Sequence, residues 1–237
     1  FNTANGFGAV LHFDDKYQQG DRVDATANQF SVYDIDESSV ENSEHGKLNG
    51  NYYFGISPRF GLDYQDALYG DKYTFSVWIR IMKNPKEWAE NNQPRLWTRE
   101  ASPEDSTVFE AALENLGGDT DPVSLRYRSL NNTVHSNSGY VSSATDVWQY
   151  LTVTAGPDSV RFYVDGEKCG AEELATPWEY PRNENNPYIG NDSTGERPFR
   201  GYMDELRFSA GTVRSDSWIK LSYENQRSPS SIIRFNY

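Results

Sequence analysis

Thirty-five acidic against 22 basic residues in a chain of 237 leave a formal net charge of −13. That balance lacks the basic stripe a phosphate backbone needs and argues against nucleic acid, while divalent cations and neutral sugars stay compatible with it. A single cysteine, Cys169, excludes an internal disulfide, and no apolar run approaches the roughly 20 residues of a membrane span.

Sixteen Tyr, 18 Gly and an aromatic share of 14% favour strands and turns over helices. The length suits one large all-β domain or two small ones; with no dividing linker and no fixed-period repeat, one domain over residues 1–227 is expected, with a tail or edge strand over 228–237. A start at Phe1 suggests an excised domain or a processed product.

In chain order, residues 8–13 (GAVLHF) read as a first strand and 14–47 as a loop-rich polar region with a weak strand near 30–35. Within that region Asp24 to Asn28 offers a carboxylate and an amide in a compact turn, either an Asx-turn or part of a ligand set. Residues 51–56 form another strand candidate. Residues 73–82 (YTFSVWIRIM) alternate cleanly, with Tyr73, Phe75, Val77, Ile79 and Ile81 toward a core and Thr74, Ser76, Trp78 and Arg80 away from it. Strands follow at 95–99, 108–113 and 123–127, separated by turns at Pro103, Gly117-Gly118 and Asn131-Asn132. Residues 147–164 make a hairpin about Gly156-Pro157-Asp158, and 167–186 a long loop carrying Trp178 and Tyr180. A short helix is expected over 215–225, capped by Ser or Asp.

The stretch 199–208 raises the sharpest question. Strict alternation puts Arg200, Tyr202, Asp204, Leu206 and Phe208 on one mostly apolar face, and Asp204 and Glu205 on opposite faces. A carboxylate buried in such a face is costly unless it is hydrogen-bonded, paired or bound to a cation.

Trp148 with 150–153 (YLTV), 160–166 (VRFYVDG), Tyr188-Ile189-Gly190 and 199–207 (FRGYMDELR) together resemble the concanavalin A-like lectin/glucanase superfamily, and more narrowly the laminin-G-like jelly rolls of bacterial secreted and surface proteins. Ala9 to Asp14 followed by Asp24-Ala25-Thr26, and Phe75-Ser76-Val77-Trp78, are similar to the same domains. The resemblance implies an all-β, two-sheet antiparallel β-sandwich with a short C-terminal helix. It also implies a monomeric binding domain of a larger secreted or cell-surface protein, not inserted in a membrane, whose partner is a polysaccharide or cell-surface glycan. A structural calcium ion is expected with it, on Asp204 and more weakly Asp24; backbone N–H groups satisfying Asp204 are the alternative.

Catalysis is not expected. Glucanases of this superfamily place two carboxylates on one strand, a retaining pair roughly 5 Å apart. No such strand pattern occurs; Glu110 and Glu114 have the spacing but no adjoining carboxylate or aromatic platform, and His12, His45 and His135 are scattered. Sugar binding calls for exposed aromatics and planar polar groups. The candidates are Trp88, Trp178 and Tyr180 in loops and Trp78, Arg80, Arg95 and Arg126 on outer strand faces, though loop tryptophans can equally cover a sheet edge. Trp148 and Trp218 read as core or helix-packing residues. An adhesion or spacer domain that recognises protein, or no ligand, stays open beside carbohydrate binding.

Overall fold

A computed structural model describes residues 6–13, 22–34, 40–43, 46–48, 51–55, 59–63, 66–68, 70–82, 93–102, 105–115, 123–129, 133–135, 141–142, 144–174 and 186–228. Among these residues, 16 strands and one α-helix form. They are β1 (Ala9–Leu11), β2 (Arg22–Val23), β3 (Ser31–Asp34), β4 (Val40–Ser43), β5 (Asn51–Phe54), β6 (Phe60–Leu62), β7 (Tyr73–Ile81) and β8 (Arg95–Ser102). Then come β9 (Asp105–Asn115), β10 (Val123–Ser129), β11 (Thr133–His135), β12 (Trp148–Ala155), β13 (Ser159–Val164), β14 (Glu167–Glu173), β15 (Tyr188–Ile189), β16 (Gly201–Ala210) and α1 (Asp216–Arg227).

The strands make two eight-stranded antiparallel sheets, so the sandwich expected from the sequence is the fold. The first runs β14-β13-β12-β7-β16-β5-β4, with β1 also on β16; the second runs β11-β10-β9-β8-β15-β6-β3-β2. The apolar faces of β7, β12 and β13 lie in the core as their alternation requires. Across the gap, Trp97 of β8 stacks on Phe208 of β16 at 4.8 Å and 10°, and Phe208 stacks in turn on Tyr73. Phe54 packs edge-on against Phe60 and Phe199, and a Cβ on Gly190 would meet the Phe54 ring at 2.3 Å, which with φ of +80° explains glycine there. Trp97, mid-strand, is thus a core residue.

β16 departs from strict alternation. Asp204 pairs with Trp78 and Arg207 with Ser76, so Glu205 and Leu206 together face the single residue Val77. This is a β-bulge, and Glu205 takes a left-handed φ of +51° to make it. The extra residue resets the side-chain parity. Met203, Leu206 and Phe208 enter the core, whereas Tyr202 and Asp204 leave it. The face read from the sequence as Tyr202, Asp204, Leu206 and Phe208 is therefore two faces, and Asp204 and Glu205 do not straddle the sheet as expected: Asp204 pairs with Trp78, and Glu205 pairs with Arg207, which lies opposite Ser76, both positions on the face away from the core. Strand pairing places the bulge where β16 changes neighbour, from β5 at Gly201–Met203 to β1 at Leu206–Phe208.

The long loop expected over 167–186 begins instead with β14, joined to β13 by the turn Asp165-Gly166, with φ of +52° and +78°. Helix α1 forms as expected, its Ser215 side chain accepting the Trp218 N–H, with Asp216 in the first turn and Arg227 in the last. It lies on the outer face of the first sheet through polar and aromatic contacts. Trp78 Nε1–H donates to Gln226 Oε1 at 2.9 Å, Tyr163 O–H donates to Asp216 Oδ1 at 2.7 Å, and Tyr223 packs on Trp78 and Tyr150. No helix among the described residues is long and apolar enough to cross a membrane.

Replacing Phe208 by Ala removes the ring that joins the two sheets and should cost about 3–5 kcal/mol. Urea denaturation checks this; a loss below about 1 kcal/mol would show that the stack does not hold the layers together.

Candidate functional site

Antiparallel register assembles a transverse row on the outer face of the first sheet. Trp148 of β12 pairs with Arg80 of β7, Arg80 with Tyr202 of β16, and Tyr202 with Tyr53 of β5; Glu41 of β4 occupies the next register position. Directly opposed residues share a face, so the row is a continuous ridge. The guanidinium carbon of Arg80 lies 4.2 Å from the Tyr202 ring centre and 5.6 Å from that of Trp148. Tyr202 contacts Tyr53 at 5.0 Å and Trp148 at 6.4 Å. All four side chains are half-buried. Helix α1 contacts the next rows of this face, Trp78, Tyr150 and Tyr163, but no hydrogen bond, ion pair or ring contact among the described residues joins it to the ridge. Arg80 makes no hydrogen bond or ion pair among the described residues, and its Nε is buried without a partner.

The residues named from the sequence fare differently. Arg80 is in the ridge. Trp78, expected to face a ligand, is covered, 1% exposed, by α1 on one side and Lys47, whose Nζ is 4.8 Å from its ring centre. Trp148, expected in the core or against a helix, is instead a ridge residue, and so are Tyr202 and Tyr53, which the sequence reading missed. Arg95 is buried on the second sheet and donates to the Gln93 carbonyl at 2.7 Å. Register sets Arg95 and Arg126 on either side of Ala112, on the neighbouring strands β8 and β10. Trp88, Trp178 and Tyr180 lie outside the described residues. In the loop after β15, Asp192 is buried; its Oδ1 accepts from the Thr194 hydroxyl and the Glu196 N–H, so it organises the loop. Trp218 packs against Phe7 and Arg214, as a helix-packing residue should.

The two expected calcium ligands also differ. Asp24 Oδ1 accepts the N–H groups of Val10 and Thr26, at 2.7 and 3.0 Å, and its Oδ2 the Thr26 hydroxyl. That is an Asx-turn tying the loop to β1. Asp204 is fully buried, accepts the Leu48 N–H on Oδ2 at 2.9 Å, and has no partner on Oδ1. Burial pushes its carboxyl up to about 7, with a further push from the Glu205 charge, against the pull of the Leu48 N–H and, more weakly, the Lys47 and Glu205 N–H groups. Burial also pushes Glu205 up, but the hydrogen bond from His12 and the charge of Arg207 outweigh it and hold Glu205 below its ordinary value. An unpartnered buried carboxylate oxygen suits an oxygen-seeking cation; Asp24, already holding three donors, suits it less. Among the described residues, no three His, Cys, Asp or Glu side chains cluster as a metal site.

Comparison with known proteins places this architecture. A family model, Laminin_G_3 of the concanavalin A-like lectin/glucanases superfamily, matches residues 60–220. The chain belongs to this family. No curated protein matches the laminin-G domain in sequence. Among solved structures, it is similar to domain 4 of AbnA, a GH43 extracellular arabinanase from Geobacillus stearothermophilus, in complex with arabinotriose: TM-score 0.66, 18% identity, 90% of this chain and 96% of that one. It is also similar to the binding domain of Paraclostridial Mosquitocidal Protein 1, with TM-score 0.67, 12% identity and coverage of 92% of this chain and 52% of that one. The botulinum neurotoxin serotype D binding domain gives 0.66, 15%, 94% and 51%. The laminin-G domain thus spans about half of each toxin fragment.

The raised Asp204 carboxyl has a pH signature. Its folded value exceeds the ordinary 3.8, so the folded state retains a proton the unfolded chain has lost, and stability falls as pH rises from about 4 to about 7. With a chelator present, Asp204→Asn should therefore gain on the wild type by a few kcal/mol across that range. Urea denaturation at both ends checks it; a pH-independent difference would contradict the assignment.

Proposed function

We propose that this laminin-G domain is a non-catalytic carbohydrate-binding module of a larger secreted or cell-surface protein. The observation that carries the reading is the Trp148–Arg80–Tyr202–Tyr53 ridge, which offers ring faces and a planar cation to a sugar chain. The likeness to AbnA domain 4, which covers nearly the whole of both chains and was solved with arabinotriose, supports a glycan partner. Binding without cleavage is supported by the adjacent acids of β16: Asp204 and Glu205 are 0% and 5% exposed, too enclosed to meet a glycosidic bond. The toxin binding domains favour a second reading, attachment to a cell-surface receptor.

Retention on insoluble polysaccharides, including arabinan, tests the first reading. Tyr202→Ala and Trp148→Ala should each weaken retention roughly tenfold, about 1.4 kcal/mol. Retention by the wild type that neither variant reduces would remove the ridge from the site. Absence of binding to every polysaccharide would favour the receptor reading.

Structural calcium belongs to the same proposal, supported by the unpartnered Oδ1 of Asp204. Calcium should raise the melting temperature of the wild type, a chelator should lower it, and Asp204→Ala should abolish the response. An identical melt with and without chelator would count against a bound ion.

A further inference from the structure

We propose that the ridge reads a carboxylate: its preferred ligand is an otherwise neutral glycan bearing uronic acid residues, with Arg80 holding the uronate and the neighbouring rings supporting the sugars. This rests on the carbohydrate-binding reading and specifies its ligand.

The first ground is the state of Arg80. Several other arginines of the described residues have oxygen partners, although the half-buried Arg161 and Arg200 have none. Arg207 pairs with Glu205, Arg197 with Asp192 and the Gln93 amide, and Arg59 donates to the carbonyls of Asp192 and Ser193. Arg80 has only ring faces, although the chain carries 35 carboxylates. A half-buried guanidinium without an acceptor forgoes its strongest interaction, a two-point bond to a carboxylate.

The second ground is its presentation. Stacking against Tyr202 and Trp148 restricts the guanidinium plane, and β7, between β12 and β16, fixes its root. Nε is buried, so a ligand meets the two Nη nitrogens, the end that grips both oxygens of a carboxylate. Three strand intervals separate Trp148 from Tyr53, about 14 Å, which gives a sugar chain ring contacts on both sides of the charge.

The third ground is the local charge. In the adjoining row Asp204 is sealed from solvent, while Lys47 lies over Trp78. Glu41, the next acid by register along the row among the described residues, lies opposite Tyr53 on β4, three strands from Arg80. A neutral sugar would cover Arg80 and leave its charge desolvated and unpaired. The net charge of −13 repels a dense polyanion at long range, so the surface favours isolated carboxylates in a neutral chain.

Glucuronoxylan and partly methyl-esterified pectin, each compared with its carboxyl-reduced form by affinity electrophoresis or calorimetry, test the proposal. The wild type should bind at least one native polymer tenfold or more tightly than its reduced form. Arg80→Gln should abolish that preference, and Arg80→Lys, which keeps the charge without the fork, should lose most of it, both with melting temperatures near that of the wild type. Equal binding of native and reduced polymers, or binding to neutral polysaccharides alone, would overturn uronate selection while leaving carbohydrate binding intact. Should neither form of any polymer bind, both readings fall together. A preference retained in both folded Arg80 variants would also overturn the assignment.

Discussion

Everything on the outer face of the first sheet follows from one surplus residue in β16. Two residues, Glu205 and Leu206, stand opposite Val77, and the left-handed backbone at Glu205 absorbs the mismatch. Upstream of it, Met203 points to the core and Tyr202 and Asp204 outward; downstream, Leu206 and Phe208 point inward again. Without the bulge, a core-facing Phe208 would carry Tyr202 and Asp204 inward with it. A carboxylate would then sit among aromatic rings, and the ridge would lose its central tyrosine. The Trp97–Phe208 stack and the Arg80–Tyr202 contact are therefore alternatives that only a shift in parity allows one strand to hold together.

The same face explains the character of α1. A helix that docks on an apolar layer buries leucines and valines, but here Leu221 is exposed while Ser222 and Gln226 are buried beside Ile219. The surface beneath is made of Trp78, Tyr150 and Tyr163, whose polar tips need partners. Buried polar atoms on both sides satisfy one another, so the helix is placed by hydrogen-bond matching as much as by area. Its footprint covers the rows of Trp78, Tyr150 and Tyr163. That leaves Arg80 and its neighbours as the aromatic row without helix contacts.

Much of the architecture was legible in the residues because the central strands are strictly alternating. β7, β12 and β13 carry their apolar side chains into the core in the expected register, and Ser215 caps α1 where its type suggests. β14 escaped notice because Glu167, Lys168, Glu172 and Glu173 resemble a loop; an edge strand has a partner on one side only and little to bury. The bulge escaped for a different reason. Nothing in the string Met203-Asp204-Glu205-Leu206 announces an inserted residue, since the insertion answers to β1 and β5 sharing one edge of β16, a matter of distant sequence. The ridge was out of reach likewise: Trp148, Arg80, Tyr202 and Tyr53 come from four separated segments and meet only through register. Arg80 alone could be picked out, from its position on the polar side of β7.

The acidic composition of β14 has a consequence for how these domains keep company. Among the described residues this strand ends the first sheet, and a free backbone edge there would ordinarily invite another chain to continue the ladder. Glu172 and Glu173, exposed there in a molecule already strongly negative, would confront their own copies at a few ångströms in any such union. Crowded copies are thereby discouraged from fusing into extended β-stacks, and a string of such modules could sit side by side without sticking.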